Sequence, residues 1–225
     1  MIILFIILLI AALYGPRLWA RQVLNRYNRD EYFSGNGMDL ARIILDRMDL
    51  NHVPVEETPL GDHYDPEKKV VRLSKQTCGR KTLTAVVVAA HEVGHALQDH
   101  NNFGPLRART RMVRSAAKAE KIGAVLMFAV PMIAVVTRVP SVGMLLFLGG
   151  LATLCFPVIV HLVTLPTEFD ASFKRALPIL SSAELIPQGD IPAARKILLA
   201  CALTYVATAL TGFLNIWRWI RILRG

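Results

Sequence analysis

Cysteine is scarce in this chain. Cys78, Cys155 and Cys201 are the only three, they stand far apart, and no CxxC occurs. A disulfide framework and a thiolate zinc site both need cysteines at short or recurring spacings. Neither is expected, and the three read as small packing residues. Acidic residues are outnumbered as well, 17 against 26 lysines and arginines, which leaves a formal net charge of +9. Such an excess raises nucleic acid as a partner, but no nucleic-acid-binding motif accompanies it, so no nucleic-acid partner is expected. Internal repeats and low-complexity tracts are also missing.

The most telling absence is of charge within four long stretches. They are "MIILFIILLIAALYG" (1–15), "IGAVLMFAVPMIAVVT" (122–137), the 139–166 stretch interrupted by His161, and "ILLACALTYVATALTGFLNIW" (197–217). Apolar runs of this length can cross roughly 30 Å of hydrocarbon. Hydrophobic residues make up 53% of the chain, pooled in these blocks. A mainly α membrane protein with about four transmembrane helices is therefore expected. The first block lacks a charged n-region, and Tyr14, Pro16, Arg17 and Trp19 stand where a small-residue cleavage site would be, so it reads as a retained anchor. Arg17, Arg21, Arg26 and Arg29 follow the first block; Arg107, Arg109, Arg111, Arg114, Lys118 and Lys121 precede the second. Beside membrane spans, such clusters are explained by the positive-inside bias and by anionic headgroups, which makes the lipid bilayer a partner and places the polar segments in the cytoplasm. Arg218, Arg221 and Arg224 at the C-terminus would violate that bias after four full spans, or would share one face of an interfacial helix.

The expected layout is an anchor (1–16), a polar domain (17–121), a two-helix hairpin (122–165), a second polar segment (166–196), and a hydrophobic helix with a basic tail (197–225). The first polar region, roughly a hundred residues, can bury a modest core. Within it "NGMDLARIILDRMDL" (36–50) has helical periodicity with Asp39 at its start, and residues 53–74 read as short strands punctuated by Pro59, Gly61 and Asp65-Pro66. Residues 82–100 read as a helix. The second polar segment begins "PTEFDAS", where Thr167 could cap a helix carrying Glu168 and Asp170 in its first turn.

The helix at 82–100 contains "AAHEVGHALQDHNN" (89–102). His91 and His95 are one helical turn apart, so both imidazoles can share one metal ion, and Glu92 is placed to act as general base on a water. A zinc ion there would lower the pKa of that water and polarise a scissile carbonyl. Gly94 weakens the helix by roughly 1 kcal/mol relative to Ala, which suits a site where something approaches closely. A catalytic zinc needs a third protein ligand. His100 is nine residues after His91, where the extended pattern requires ten; that position is Asn101, and Gln98 stands where a glycine should. His52 and His63 read as surface histidines on loops. His161 could hydrogen-bond a ligand or simply be packed. Two hydrophobic stretches separate His95 from Glu168, and an even number of crossings returns the chain to the same side, which leaves Glu168 as the candidate; Glu184 shares that side with loop-like flanks.

"AAHEVGHALQ" together with "EFDAS" between hydrophobic segments resembles the neutral zinc metallopeptidase family of small bacterial membrane proteins (YugP-like), and more distantly the membrane gluzincins of the HtpX type. The resemblance covers nearly the whole chain. It implies a small α+β zincin-like metallopeptidase domain, one Zn2+ held by His91, His95 and Glu168, Glu92 as general base, a polypeptide substrate, and a place in the bacterial inner membrane. The HtpX-like relatives carry an aspartate four residues after the ligand glutamate; here that residue is Ser172, which can still accept a hydrogen bond from an imidazole but brings no charge. Val70, Val71, Arg72 and Leu73 are expected either to hold an extended substrate along an edge strand or to form a plain structural strand. The rival to a membrane-embedded zinc endopeptidase is a non-catalytic, zinc-stabilised membrane scaffold or chaperone. A transporter is disfavoured by the near-absence of ionisable residues in the apolar blocks. Nothing in the sequence fixes an oligomeric state.

Overall fold

The first apolar block does not stop at its own end but continues into the basic cluster as one helix, α1 (Ile2–Arg26), with Pro16 inside it. The structure is a computed structural model that describes residues 2–137, 141, 144–145, 148–149, 159–160, 163–182 and 184–213. Helix α2 (Gly37–Arg47) starts on a capping box: Asn36 Oδ1 accepts from the Asp39 amide at 2.9 Å and Asp39 Oδ2 accepts from the Asn36 amide at 3.0 Å. These bonds satisfy donors that a helix start leaves orphaned. Three short strands follow, β1 (Val55–Glu57), β2 (His63–Asp65) and β3 (Val70–Leu73). Asp65 Oδ1 closes the turn between the last two by accepting from the Glu67 and Lys68 amides.

Sheet order is β1-β3-β2, with β1 parallel and β2 antiparallel to β3. Val70 to Leu73 thus form the central strand, and both of their edges are already paired. The expectation that this stretch offers a substrate an edge is corrected: the edge strands are β1 and β2. Burial of Val70, Val71 and Leu73 is the physical reason, since a strand covered on both faces is apolar without alternation.

Ser74 caps α3 (Lys75–Gly79), and Thr82 caps α4 (Leu83–His100) through Ala85. Helix α4 is the axis of the molecule, buried from Leu83 to Gln98, with α2 and the sheet packed on it. Helix α5 (Gly104–Thr137) follows. The chain is helical again at 163–169, continues without a break into a π-helix (Asp170–Ala176), and passes through α6 (Leu177–Ser182) and a 3-10 turn (Gln188–Asp190) into α7 (Ile191–Phe213). Thr167 lies inside this helical run, so it caps nothing.

Among the described residues no helix is long and apolar enough to cross a membrane. The expected architecture of about four transmembrane helices is corrected accordingly: the described residues form the seven α-helices named above, the helical run at 163–169, a π and a 3-10 segment, and one three-stranded sheet. Part of the apolar material is used inside the protein. Ala194, Ile197, Leu198, Ala200 and Ala202 of α7 are fully buried, and α7 packs against α4 and α1. The second block is the C-terminal half of α5, whose first half carries the basic cluster. Most of the third block lies outside the described residues.

Candidate metal centre

Two elements build the site. Helix α4 supplies His91, Glu92 and His95, and the 163–176 helical run supplies Glu168, Asp170 and Ser172. The two approach closely enough that a Cβ on Gly94 would stand 2.7 Å from the Ala171 carbonyl oxygen. Only glycine lets the backbones meet at this distance. Glu168 and Ser172 are fully buried, and His91 and His95 are each 3% exposed. Glu168 Oε2 lies 3.3 Å from His91 Nε2 and 3.2 Å from His95 Nε2.

Hydrogen-bond partners fix both imidazole tautomers. Ser172 Oγ is 3.2 Å from the Leu198 carbonyl, which can only accept, so the hydroxyl proton points there and its lone pair faces His91 Nδ1 at 3.0 Å. Gln98 Nε2 donates to the Thr167 carbonyl and to Asp170 Oδ2, both at 2.8 Å, which turns Gln98 Oε1 towards His95 Nδ1 at 2.9 Å. Each Nδ1 therefore carries the proton, and each Nε2 lone pair points at the Glu168 carboxylate. Asp170 is held in turn by Arg175 Nε at 2.7 Å.

Three acceptors face one another at this centre, an unfavourable arrangement unless a cation or proton sits between them. Glu168 Oε1 adds a second indication. It is buried and lacks a hydrogen bond, although Arg109 Nη1 stands 3.0 Å away in an ionic contact. The ligand atoms of His91, His95 and Glu168 lie within 4.8 Å of one another, and two imidazoles with a carboxylate are a donor set zinc accepts. The residues fit a metal ion.

Electrostatics separate the two glutamates. Burial alone would raise the Glu168 carboxyl, but positive charge at the His95 and His91 imidazoles, where a proton takes the place of a cation between the three acceptors, holds it well below the usual carboxylate range. Glu92 is pushed up to about 7, chiefly by burial, with Glu168 and Asp62 adding to the rise and His91 and Arg109 opposing it.

Two cavities flank the centre along α4. One, of about 240 Å³, lies between β2 and α5 and is lined by His63, Tyr64, Asp65, His95 and Arg109. Tyr64 donates to Asp99 Oδ2 at 2.8 Å and so fastens the edge strand over the end of α4. The other, of about 430 Å³, lies beyond Asp62 and Val88 towards α1. Histidines outside the motif are dispersed: His52 is exposed in a turn, His100 is exposed at the end of α4, and His63 lines the smaller cavity from β2. Glu184 is exposed on a left-handed residue, and His161 lies outside the described residues.

Sequence reasoning did not find Gln98, Asp170 or Arg109 as partners of the site. Gln98 could have been found from its position one turn after His95, on the side of α4 that meets the second element. Arg109 belongs to the basic cluster that the sequence points at lipid headgroups, yet its Nη1 lies 3.0 Å from Glu168 Oε1.

Over residues 1–224 the chain matches the family described as "Putative neutral zinc metallopeptidase". It is 38% identical over 226 residues to a Bacillus subtilis (strain 168) protein named "Putative membrane protease YugP", covering 97% of this chain and 96% of that one. No solved structure matches. A family match from end to end, and a relative this similar along its own whole length, agree with the donor set at the centre: the chain belongs to the putative neutral zinc metallopeptidase family.

Proposed function

We propose that the chain is a zinc-dependent endopeptidase in which His91, His95 and Glu168 hold one Zn2+ and Glu92 is the general base. The observation that carries this reading is the outward commitment of both Nδ1 protons, which leaves two Nε2 lone pairs and a buried carboxylate facing one another. Zinc bound by these residues supplies Lewis acidity towards the scissile carbonyl and activates a water. Glu92, buried beside the centre, takes a proton from the attacking water and returns it to the leaving amine. Arg109 lines the smaller cavity beside Glu168 and is the nearest cation to a developing negative charge. The open edge of β2 offers main-chain hydrogen bonds to an extended polypeptide laid across the centre.

A working place at a bacterial membrane, on membrane-proximal polypeptides, belongs to the same proposal. It is supported by the name of the relative and by exposed cations on α5 such as Arg107, Arg111 and Arg114, which would meet anionic headgroups. The second reading, a zinc-stabilised scaffold or chaperone, has no use for a buried carboxyl next to the ligands. Glu92→Gln separates the two. The variant should keep one zinc per chain by elemental analysis and leave casein or membrane polypeptides uncut that the wild type cleaves. Equal cleavage by both proteins would refute the base, and no cleavage by a zinc-loaded wild type would favour the scaffold.

A further inference from the structure

The larger cavity, about 430 Å³, has no part in holding the metal ligands, yet it sits on the site's own axis. Thr84 and Val88 of α4 line it, and the next turn of that helix brings His91 and Glu92. Asp62 lines it as well, while the following residue, His63, lines the smaller cavity on the far side of the centre. A chain lying along β2 across His91 and His95 would therefore have one end in each cavity.

The wall contributed by α1 is what distinguishes the larger one. Arg17 and Arg21, one helical turn apart, line it together with Asn25 and Asn28. Arg17 and Arg21 are exposed and have no ion-pair or hydrogen-bond partner among the described residues. The single acid in the lining, Asp62, is engaged by the Ser74 amide at 2.7 Å and the Ser74 hydroxyl at 3.3 Å. Two guanidiniums that outnumber the one hydrogen-bonded carboxylate, backed by side-chain amides in a cavity whose α4 wall lies one turn before His91, match a carboxylate in chemistry.

We propose that this cavity is a substrate-selecting subsite for a carboxylate, read by Arg17 and Arg21. The inference rests on the peptidase reading for its purpose but not for its test. A C-terminal carboxylate and an aspartate or glutamate side chain present the same group to the cavity, and the experiment separates them. One fluorescein-labelled peptide is made in three forms: free C-terminal acid, C-terminal amide, and amide with one internal aspartate. Their binding to the zinc-loaded full-length chain is followed by anisotropy.

The free acid, the aspartate form, or both should bind about tenfold tighter than the neutral amide, and whichever does so names the source. In Arg17→Gln/Arg21→Gln that ratio should collapse towards one, with zinc content unchanged. Arg17→Lys/Arg21→Lys should restore part of it, because the charges return without the guanidinium fork. No preference in the wild type, or a preference that survives the Gln pair, overturns the assignment. So does a Gln pair that loses only its binding to phosphatidylglycerol vesicles, which would make the two arginines headgroup contacts. Peptides that bind with the expected preference but are not cut would sink the peptidase reading and leave this one standing.

Discussion

Gln98 decides which nitrogen of His95 can meet a metal. Its amide is turned by two partners that only accept, Asp170 Oδ2 and the Thr167 carbonyl, so its oxygen is the atom left for His95 Nδ1–H. Gln98→Leu removes that acceptor and withdraws a donor from the Thr167 carbonyl and from Asp170, which keeps Arg175. Zinc affinity should fall about 10- to 100-fold, read by competition with a chromophoric chelator. Affinity within twofold of wild type would show that the imidazole needs no such guide. At this scale the sequence was legible where a residue's type and spacing name its chemistry, as for His91, Glu92 and His95. Gln98 carries no such label, since a glutamine near a helix end usually meets water. Asp170 acts on His95 only through that amide, a contact that its place two residues after Glu168 does not suggest.

Glu92 gives a second prediction at residue scale, for the metal-free protein. Its carboxyl is near 7 in the fold against an ordinary 4.5. Between those values the unfolded chain loses its proton while the folded one keeps it, so the folded state binds more protons and stability falls as pH rises. Glu168 is depressed instead, and its contribution is constant across this window and lost only at lower pH. Metal-free wild type should lose stability from pH 4.5 to 7 relative to Glu92→Gln, on the order of 3 kcal/mol if the whole shift is expressed. Parallel urea-denaturation profiles for the two proteins would contradict the assignment of that slope to Glu92.

At the scale of elements, the decisive contact is between α4 and the π-helix. Gly94 faces the Ala171 carbonyl so closely that a methyl group cannot enter without moving one backbone. Gly94→Ala gains helix propensity of roughly 1 kcal/mol but overpacks the interface by about 1–3 kcal/mol. Overpacking is expected to win, and because the displaced segment carries Glu168 and Ser172, zinc affinity should drop along with thermal stability. A variant more stable than wild type and still zinc-competent would show that the segment can yield. Helix α4 was legible from its long apolar run before the histidines, and α2 from its helical spacing with Asp39 at the start. The π-helix was not, because its i→i+5 bonds at 170–176 answer to tertiary packing rather than to a pattern in the residues. The strands were visible between 53 and 74, but their order was hidden. A run such as Val-Val-Arg-Leu signals double-sided burial more than a free edge.

For the whole molecule, the sequence misled through its apolar blocks. Transfer out of water is favourable whether the new surroundings are lipid or protein, so a hydrophobic run does not say which it will meet. In α7 the buried Ile197 and Leu198 face protein, and the latter's carbonyl also holds Ser172 beneath His91. The site therefore ties together parts of the chain that the sequence holds apart: α4 carries two of the proposed ligands, and the third stands 73 positions after His95 on another helix. An ion shared by both should clamp the fold as a whole, and binding to the folded state alone stabilises by about 4 kcal/mol at a thousandfold excess over Kd. Thermal unfolding of the full chain should shift upward on loading with zinc and return after chelation. Glu168→Ala removes the ligand contributed by the second element and should abolish most of the shift, while Glu92→Gln, which leaves all three ligands in place, should retain it. An unchanged shift in Glu168→Ala would mean that the two histidines hold zinc without the second helix, and the union of α4 with the 163–176 run would then be a matter of packing alone.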